Sequence, residues 1–192
     1  MPRICIDGSI GAGKTTILKR LGRELGIDIF LEPVEEWSRC LERFYKDPER
    51  WGLCLNSKVL CSFAKVPTNG IVLCERSPLS CLRVFAEVGM KDPVETEVIE
   101  DIYGAVGWIP DVVVYIRTTP QACMERIKKR GRTEEDGIVI EYLDQIHKKY
   151  EDIYTKGNIT VVVVDGEDDM DVVYEKVKNV VTDYATQLFV SK

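Results

Sequence analysis

Residues 8 to 15 read Gly8, Ser9, Ile10, Gly11, Ala12, Gly13, Lys14 and Thr15, the pattern GxxxxGK followed by Ser or Thr. Glycines let successive backbone N–H groups curl around phosphate oxygens, and a helix beginning near Lys14 points its positive dipole end at them. Lys14 adds a mobile cation. Thr15 offers a hydroxyl to a Mg²⁺ ion bridging the β and γ phosphates of a nucleoside triphosphate, and Thr16 extends the same turn. The apolar run Ile4-Cys5-Ile6 precedes the loop and a helical pattern follows it, which is the context the motif requires. This motif alone does not separate a kinase from a switch GTPase or a motor ATPase.

In a parallel open sheet the ligand sits beyond the carboxyl ends of the strands, so polar residues directly after each strand carry the information about a second substrate. Two such stretches stand out: Glu32-Pro33-Val34-Glu35-Glu36-Trp37 and Glu75-Arg76-Ser77. Either one alone reads as a turn or as plain surface. Placed together on the side of the phosphate loop, they offer a carboxylate and a guanidinium to an acceptor. A third stretch, Arg126, Lys128, Lys129, Arg130 and Arg132, concentrates five cations in seven residues. On charge alone it reads as a solvated helix face or a weak nucleic-acid patch.

The elements that must position these residues are short β-branched runs separated by longer stretches of helical spacing. Strands are predicted at 3–6, 27–31, 71–74, 112–116 and 159–164, and helices at 15–25, 48–65, 93–108, 119–129, 138–154 and 170–188. Runs such as Val112-Val113-Val114 do not alternate with polar residues, as expected for parallel strands covered on both faces. The expected fold is therefore α/β, with a five-stranded parallel sheet and helices on both faces. No Gly/Ser linker or repeat divides the 192 residues, so a single domain over 1–192 is expected.

With 45% hydrophobic and 30% charged residues the chain has the composition of a globular protein, and its net charge of −6 argues against a large cationic face for nucleic acid. The seven cysteines, at 5, 40, 54, 61, 74, 81 and 123, show no CxxC pair, and the lone His147 cannot make a metal site by itself. Reduced thiols, no secretory or transit segment before Ile4 and no apolar run of membrane-spanning length point to a cytoplasmic protein with no membrane partner.

Taken with their order and spacing, several stretches resemble the deoxynucleoside kinase family, whose members include deoxycytidine, deoxyguanosine, mitochondrial thymidine and insect multisubstrate kinases. They are the phosphate loop, EPVEEW at 32–37, YKDPERW at 45–51, ERS at 75–77 and RGRTEEDGIVIEYLDQIHKKYE at 130–151. Herpesvirus-type thymidine kinases and thymidylate kinases usually show Asp-Arg where this chain has Glu75-Arg76, so they fit less well.

The resemblance implies a P-loop kinase fold with a lid at about 126–137, and ATP with Mg²⁺ as cofactors. It implies that Glu32 accepts the proton of a nucleoside 5′-hydroxyl while Arg76 holds the 5′-oxygen, and that Glu75 helps Thr15 hold Mg²⁺. In the same way Arg130 and Arg132 close over the transferring phosphoryl group. Arg126 stacks on the ATP base beneath the acidic loop of Asp165 and Glu167, and Tyr45 and Glu135 bind the sugar 3′-hydroxyl. A homodimer built from the stretches 48–65 and 78–108 is also implied.

For the nucleobase the family uses a glutamine in the pattern W-x-x-x-x-Q, and here that position is Asn56. The amide still offers donor and acceptor, one methylene further back. Where members preferring deoxycytidine or purines carry an Arg and an Asp, this chain has Phe63 and Cys81, which suit the 5-methyl group of thymine. Val34, Trp37, Leu41, Leu55 and Phe85 complete the expected pocket. Thymidine is the expected substrate and deoxycytidine the second. The competing expectations are a thymidylate kinase acting on dTMP and, in another class, a phosphate-loop sensor that binds nucleotide and transfers nothing.

Overall fold

The β-branched runs form the strands of a sheet whose two faces are covered by helices. The computed structural model describes residues 2–106, 108–157 and 159–190. Its strands are β1 (Arg3–Asp7), β2 (Asp28–Phe30), β3 (Val72–Glu75), β4 (Val112–Arg117) and β5 (Val161–Asp165). They pair in parallel in the order β2-β3-β1-β4-β5, with Ile4 opposite both Leu73 and Val112. The expected five-stranded parallel α/β sheet is therefore present. β2 is shorter than the apolar run that encodes it, and β5 begins at Val161 rather than 159.

The helices are α1 (Lys14–Leu25), α2 (Val34–Lys46), α3 (Pro48–Ser62), α4 (Pro78–Ser80), α5 (Glu87–Gly89), α6 (Pro93–Val106), α7 (Pro120–Arg130), α8 (Ile140–Lys156) and α9 (Met170–Val190). A π-helical stretch, Cys81–Ala86, joins α4 to α5, and 3-10 turns cover Phe63–Lys65 and Thr133–Glu135. Two of these helical regions are absent from the sequence expectation. The first is α2, which the acidic Glu35-Glu36 pair and the Pro33 start disguise as a loop. Its signal is the spacing of Trp37, Leu41 and Phe44, of which Trp37 and Phe44 are buried. The second, α4 to α5, starts at a capping box in which Ser77 and Ser80 bond reciprocally. The helix expected over 48–65 stops at Ser62, and the helix expected to reach Trp108 is described to Val106. Met1, Gly107, Asn158, Ser191 and Lys192, which the expected domain includes, lie outside the described residues.

Alternation along the strands divides the core into two layers. Ile4, Ile6, Val112, Val114 and Ile116 pack with Ile17, Leu18 and Leu21 of α1 and Val173, Val177 and Val181 of α9. Cys5, Cys74, Val113 and Tyr115 face the other way, against Leu60 of α3, Ile99 of α6 and Ile146, Tyr150 and Tyr154 of α8. Both layers leave the carboxyl ends of β1, β2 and β3 on one edge, where the chain leaves each strand into a loop.

Candidate active site

β1 runs straight into the phosphate loop, where Gly8, Gly11 and Gly13 take φ of 144°, 86° and 91°. A Cβ on Gly8 would sit 2.6 Å from the Ile116 carbonyl oxygen, and one on Gly11 2.7 Å from that of Cys123, so bulk as well as dihedral requires glycine there. The Lys14 ammonium is buried and donates to the Gly8 and Ser9 carbonyls at 3.1 and 2.9 Å. Burial, with the nearby Arg76 guanidinium, lowers its pKa from 10.5 to about 8.

A cavity of about 730 Å³ opens beside this loop. Ile10, Gly11, Gly13, Lys14, Thr15 and Thr16 line one end of it, and Glu32, Glu75 and Arg76 join them from the ends of β2 and β3. Backbone geometry puts Arg76 there. It is the one non-glycine residue with positive φ (64°) among the described residues, and its N–H bonds the Ile6 carbonyl at 3.0 Å. A strained arginine at the end of a strand holds a conformation that ordinary folding would avoid, which points to a function for its side chain.

The Arg76 guanidinium is buried, with Nε 2.8 Å from Glu32 Oε1 and Nη1 2.6 Å from the Gly8 carbonyl oxygen. Burial pushes the Glu32 carboxyl above its usual value, Arg76 pulls it back, and Glu75 raises it further. Glu32 keeps 16% of its side chain exposed toward the cavity. A carboxylate so placed can accept a proton from a bound hydroxyl. Beside it the Thr15 hydroxyl donates to Glu75 Oε1 at 2.7 Å, so two oxygens converge at the phosphate end.

The far wall comes from Arg130, Arg132, Glu134 and Glu135. Gly131, at φ 64°, ends α7 and turns the chain into the 3-10 segment. Arg130 grips the buried Glu135 carboxylate through Nε at 3.2 Å and Nη2 at 2.6 Å, and Arg132 stands 3.7 Å from the same group. Tyr45 lines the cavity nearby, its phenol pushed well above its usual value by burial first, then by Tyr142 and Glu135. The stretch expected to form a lid, about 126–137, comprises the last turn of α7 and the turn after it.

Val34, Trp37, Leu41, Leu55, Asn56, Cys81 and Phe85 all line the cavity as expected. Asn56 is buried and donates through Nδ2 to the Gly52 carbonyl at 2.9 Å, with Cys81 Sγ 3.9 Å from its Oδ1. Phe63 does not line it. The chain turns at the end of α3, and the ring packs into the core at 6.0 Å from Phe30 and 5.7 Å from Trp108. The sequence reading missed Phe44, Val59 and Tyr142, which complete the wall. The aromatic packing of Phe44, Tyr45 and Tyr142, with centroids 5.5 to 6.0 Å apart, ties α2 to the start of α8.

Gly8, Ser9 and Ala12 belong to the loop but do not line the cavity. Arg126, Asp165 and Glu167 form a separate cluster, in which Arg126 donates to the Gly166 carbonyl at 2.8 Å. There Glu167 Oε1 accepts the Thr119 N–H at 2.8 Å, and Asp165 Oδ1 that of Glu167 at 3.0 Å. Met170 lies near Gly13, so this cluster is continuous with the loop's outer side.

The sequence pattern described as deoxynucleoside kinase matches residues 4–190. The chain belongs to the deoxynucleoside kinase family. Among its relatives, human mitochondrial thymidine kinase 2 is 33% identical over 176 residues, which cover 81% of this chain and 65% of that protein. A probable deoxycytidine kinase of fowlpox virus is 28% identical over 188 residues, 87% of this chain and 80% of the viral one. The solved structure of the deoxyadenosine kinase from M. mycoides, with dCMP and a flexible dCDP bound, superposes with a TM-score of 0.84 at 31% identity. The match covers 95% of this chain and 99% of that one. These deoxynucleoside kinase relatives carry three different base names, so family membership leaves the preferred base open. Among the described residues no helix is long and apolar enough to cross a membrane.

Proposed function

We propose that the protein is an ATP- and Mg²⁺-dependent deoxynucleoside kinase that phosphorylates the 5′-hydroxyl of thymidine and, second to it, of deoxycytidine. The observation that carries this reading is the pair formed by Glu32 and Arg76, which lines a cavity of nucleoside size together with the phosphate loop. Glu32 accepts the 5′-hydroxyl proton and Arg76 steadies the oxygen. Lys14 and the loop N–H groups hold the donor phosphates, and Arg130 and Arg132 bring positive charge to the phosphoryl group in transit. Tyr45 and Glu135 take the sugar 3′-hydroxyl.

The adjacent oxygens of Thr15 and Glu75 suit Mg²⁺, which prefers oxygen ligands and keeps sites for phosphate and water. Among the described residues no cluster of three or more His, Cys, Asp or Glu is built to hold a metal alone, which agrees with an ion that arrives with its nucleotide. When bound it neutralises charge on the β and γ phosphates. Arg126, Asp165 and Glu167 are assigned to the ATP base.

The lining contributed by α3 and the π-helical stretch is Leu55, Asn56, Val59, Cys81 and Phe85, none of them charged. That uncharged wall, apolar but for the Asn56 amide, favours thymine, with its methyl group, over a base presenting an exocyclic amine to an acidic partner. The argument rests on Cys81 and its neighbours, since Phe63 takes no part. A single domain, a cytoplasmic compartment and a homodimer through the stretches 48–65 and 78–108 belong to the same reading, the last supported by the exposed Val94 and Val98 of α6.

The test is ADP release by the purified protein with ATP, Mg²⁺ and each of the four deoxynucleosides or dTMP. Thymidine is expected to give the highest kcat/KM. A purine winning overturns the base assignment, and turnover of dTMP in place of thymidine makes the protein a thymidylate kinase. ATP binding with no acceptor-dependent ADP release makes it a sensor.

A further inference from the structure

A buried polar network that the proposed reaction does not use joins the phosphate loop to α8. Asp7, the last residue of β1, is fully buried and points to the same side of the sheet as Cys5, toward α8. Its Oδ1 accepts the Gly8 N–H at 2.8 Å and the Tyr150 hydroxyl at 2.7 Å, while its Oδ2 accepts the Tyr154 hydroxyl at 2.6 Å. The Tyr150 oxygen in turn accepts a bond from Arg76 Nη1 at 2.5 Å. Asp7 Oδ1 also stands 3.6 Å from Arg76 Nη1, so the carboxyl group at the root of the phosphate loop meets the guanidinium that faces Glu32 both directly and through this one buried hydroxyl.

Packing fixes the ring that carries this hydroxyl. Tyr150 stacks on Tyr115 with centroids 5.5 Å apart at 20°, and meets Phe85 edge-on at 6.2 Å. Arg76 lies over the Phe85 ring, 4.4 Å from its centroid. A phenylalanine at 150 would make all the ring contacts, so the hydroxyl is the part with a separate purpose. Burial pushes both phenols, Tyr150 and Tyr154, well above their usual range, so each remains a proton donor to Asp7.

Arg76 needs such a brace. Nε reaches Glu32, yet a long side chain anchored at one nitrogen keeps much of its rotational freedom. Bonds from Nη1 to both the Gly8 carbonyl and Tyr150 remove that freedom. We propose that Tyr150, oriented by Asp7, is a positioning residue that fixes Arg76 against Glu32 and so sets the geometry of proton acceptance. The inference rests on the kinase reading above.

The experiment compares Tyr150→Phe with Tyr154→Phe in the full chain, measuring kcat, the KM of thymidine and of ATP, and Tm, with assays run well below Tm. Tyr154→Phe removes a bond to the same Asp7 but none to Arg76, so it controls for the loss of a buried hydroxyl. Tyr150→Phe is expected to lower kcat about tenfold, the scale of one hydrogen bond to a charged group, with both KM values within about twofold. Tyr154→Phe is expected to keep kcat within about twofold of wild type. Equal losses of Tm with wild-type kcat in both variants would overturn the proposal, as would a raised KM at unchanged kcat for Tyr150→Phe. Should Tyr150→Phe not fold, Tyr150→Met, which also lacks the hydroxyl and leaves Asp7 in place, carries the test, with the same fall in kcat at constant KM expected and wild-type kcat overturning it. A wild-type protein that releases no ADP with any deoxynucleoside refutes the kinase reading itself, an outcome distinct from active wild type and unaffected Tyr150→Phe.

Discussion

Arg76 Nε stands 2.8 Å from Glu32 Oε1, and both side chains are supplied by residues just past the carboxyl ends of neighbouring strands, β3 and β2. The pair balances two opposed effects. Burial favours the protonated carboxyl and Arg76 favours the carboxylate, with burial the larger. A base tuned this way works while ionised, so kcat should fall as pH drops through the raised Glu32 value. Glu32→Gln should lower kcat by about 10²-fold or more with nucleoside binding retained, and should abolish that acid limb. Near-wild-type turnover in the variant would remove Glu32 from the reaction.

Lys14 predicts a stability that depends on pH. Its folded pKa, about 8, is below the unfolded value of 10.5, so the unfolded chain binds the extra proton between those two values. Wild-type stability should therefore rise as pH increases from about 8 to 10.5, and the cost of the buried cation is fully present below 8. Lys14→Met should unfold at or above the wild-type Tm at pH 7, with its advantage shrinking across that window, while its KM for ATP rises steeply. Thermal scans at pH 7 and pH 10 decide this, and a constant difference between the two would refute it.

Glu135 is held by Arg130 and faces the same cavity as Tyr45. Removing its charge leaves Arg130 without a charged partner and weakens the acceptor proposed for the sugar 3′-hydroxyl. Glu135→Gln should lower kcat/KM for thymidine about 10- to 100-fold, the scale of a charged hydrogen bond lost from a buried site. It should also shrink the preference for thymidine over 3′-deoxythymidine, and an undiminished preference would separate Glu135 from the sugar.

Phe63 lies in the core between Phe30 and Trp108, and its carbonyl accepts the Trp108 Nε1–H at 3.4 Å. Phe63→Ala should therefore cost about 3 to 5 kcal/mol of stability, as other large core truncations do, and leave the KM of thymidine unchanged in protein that remains folded. Chemical denaturation and steady-state kinetics measure the two effects separately. A changed base preference with intact stability would return Phe63 to the pocket.

The sequence by itself determined the phosphate loop, the five parallel strands and the identity of Glu32 and Arg76 as polar residues after strands, whereas Glu75 is the last residue of β3 itself. These are local signals: glycine spacing, unbroken β-branched runs, and strand ends that a parallel sheet must gather on one edge. The arginines of 126–132 read on charge alone as a solvated face, and only the family resemblance marked them as a lid. Tertiary structure decided the rest. α2 hid behind Pro33 and two glutamates because its apolar spacing matters only once α3 and Tyr142 supply a surface to bury it against. Phe63 left the pocket because a 3-10 turn after α3 rotated it inward, which spacing along a helix cannot foresee. Likewise the left-handed Arg76, and the α8 tyrosine that reaches it from 74 residues away, exist as a unit only after β1, β3 and α8 have packed together.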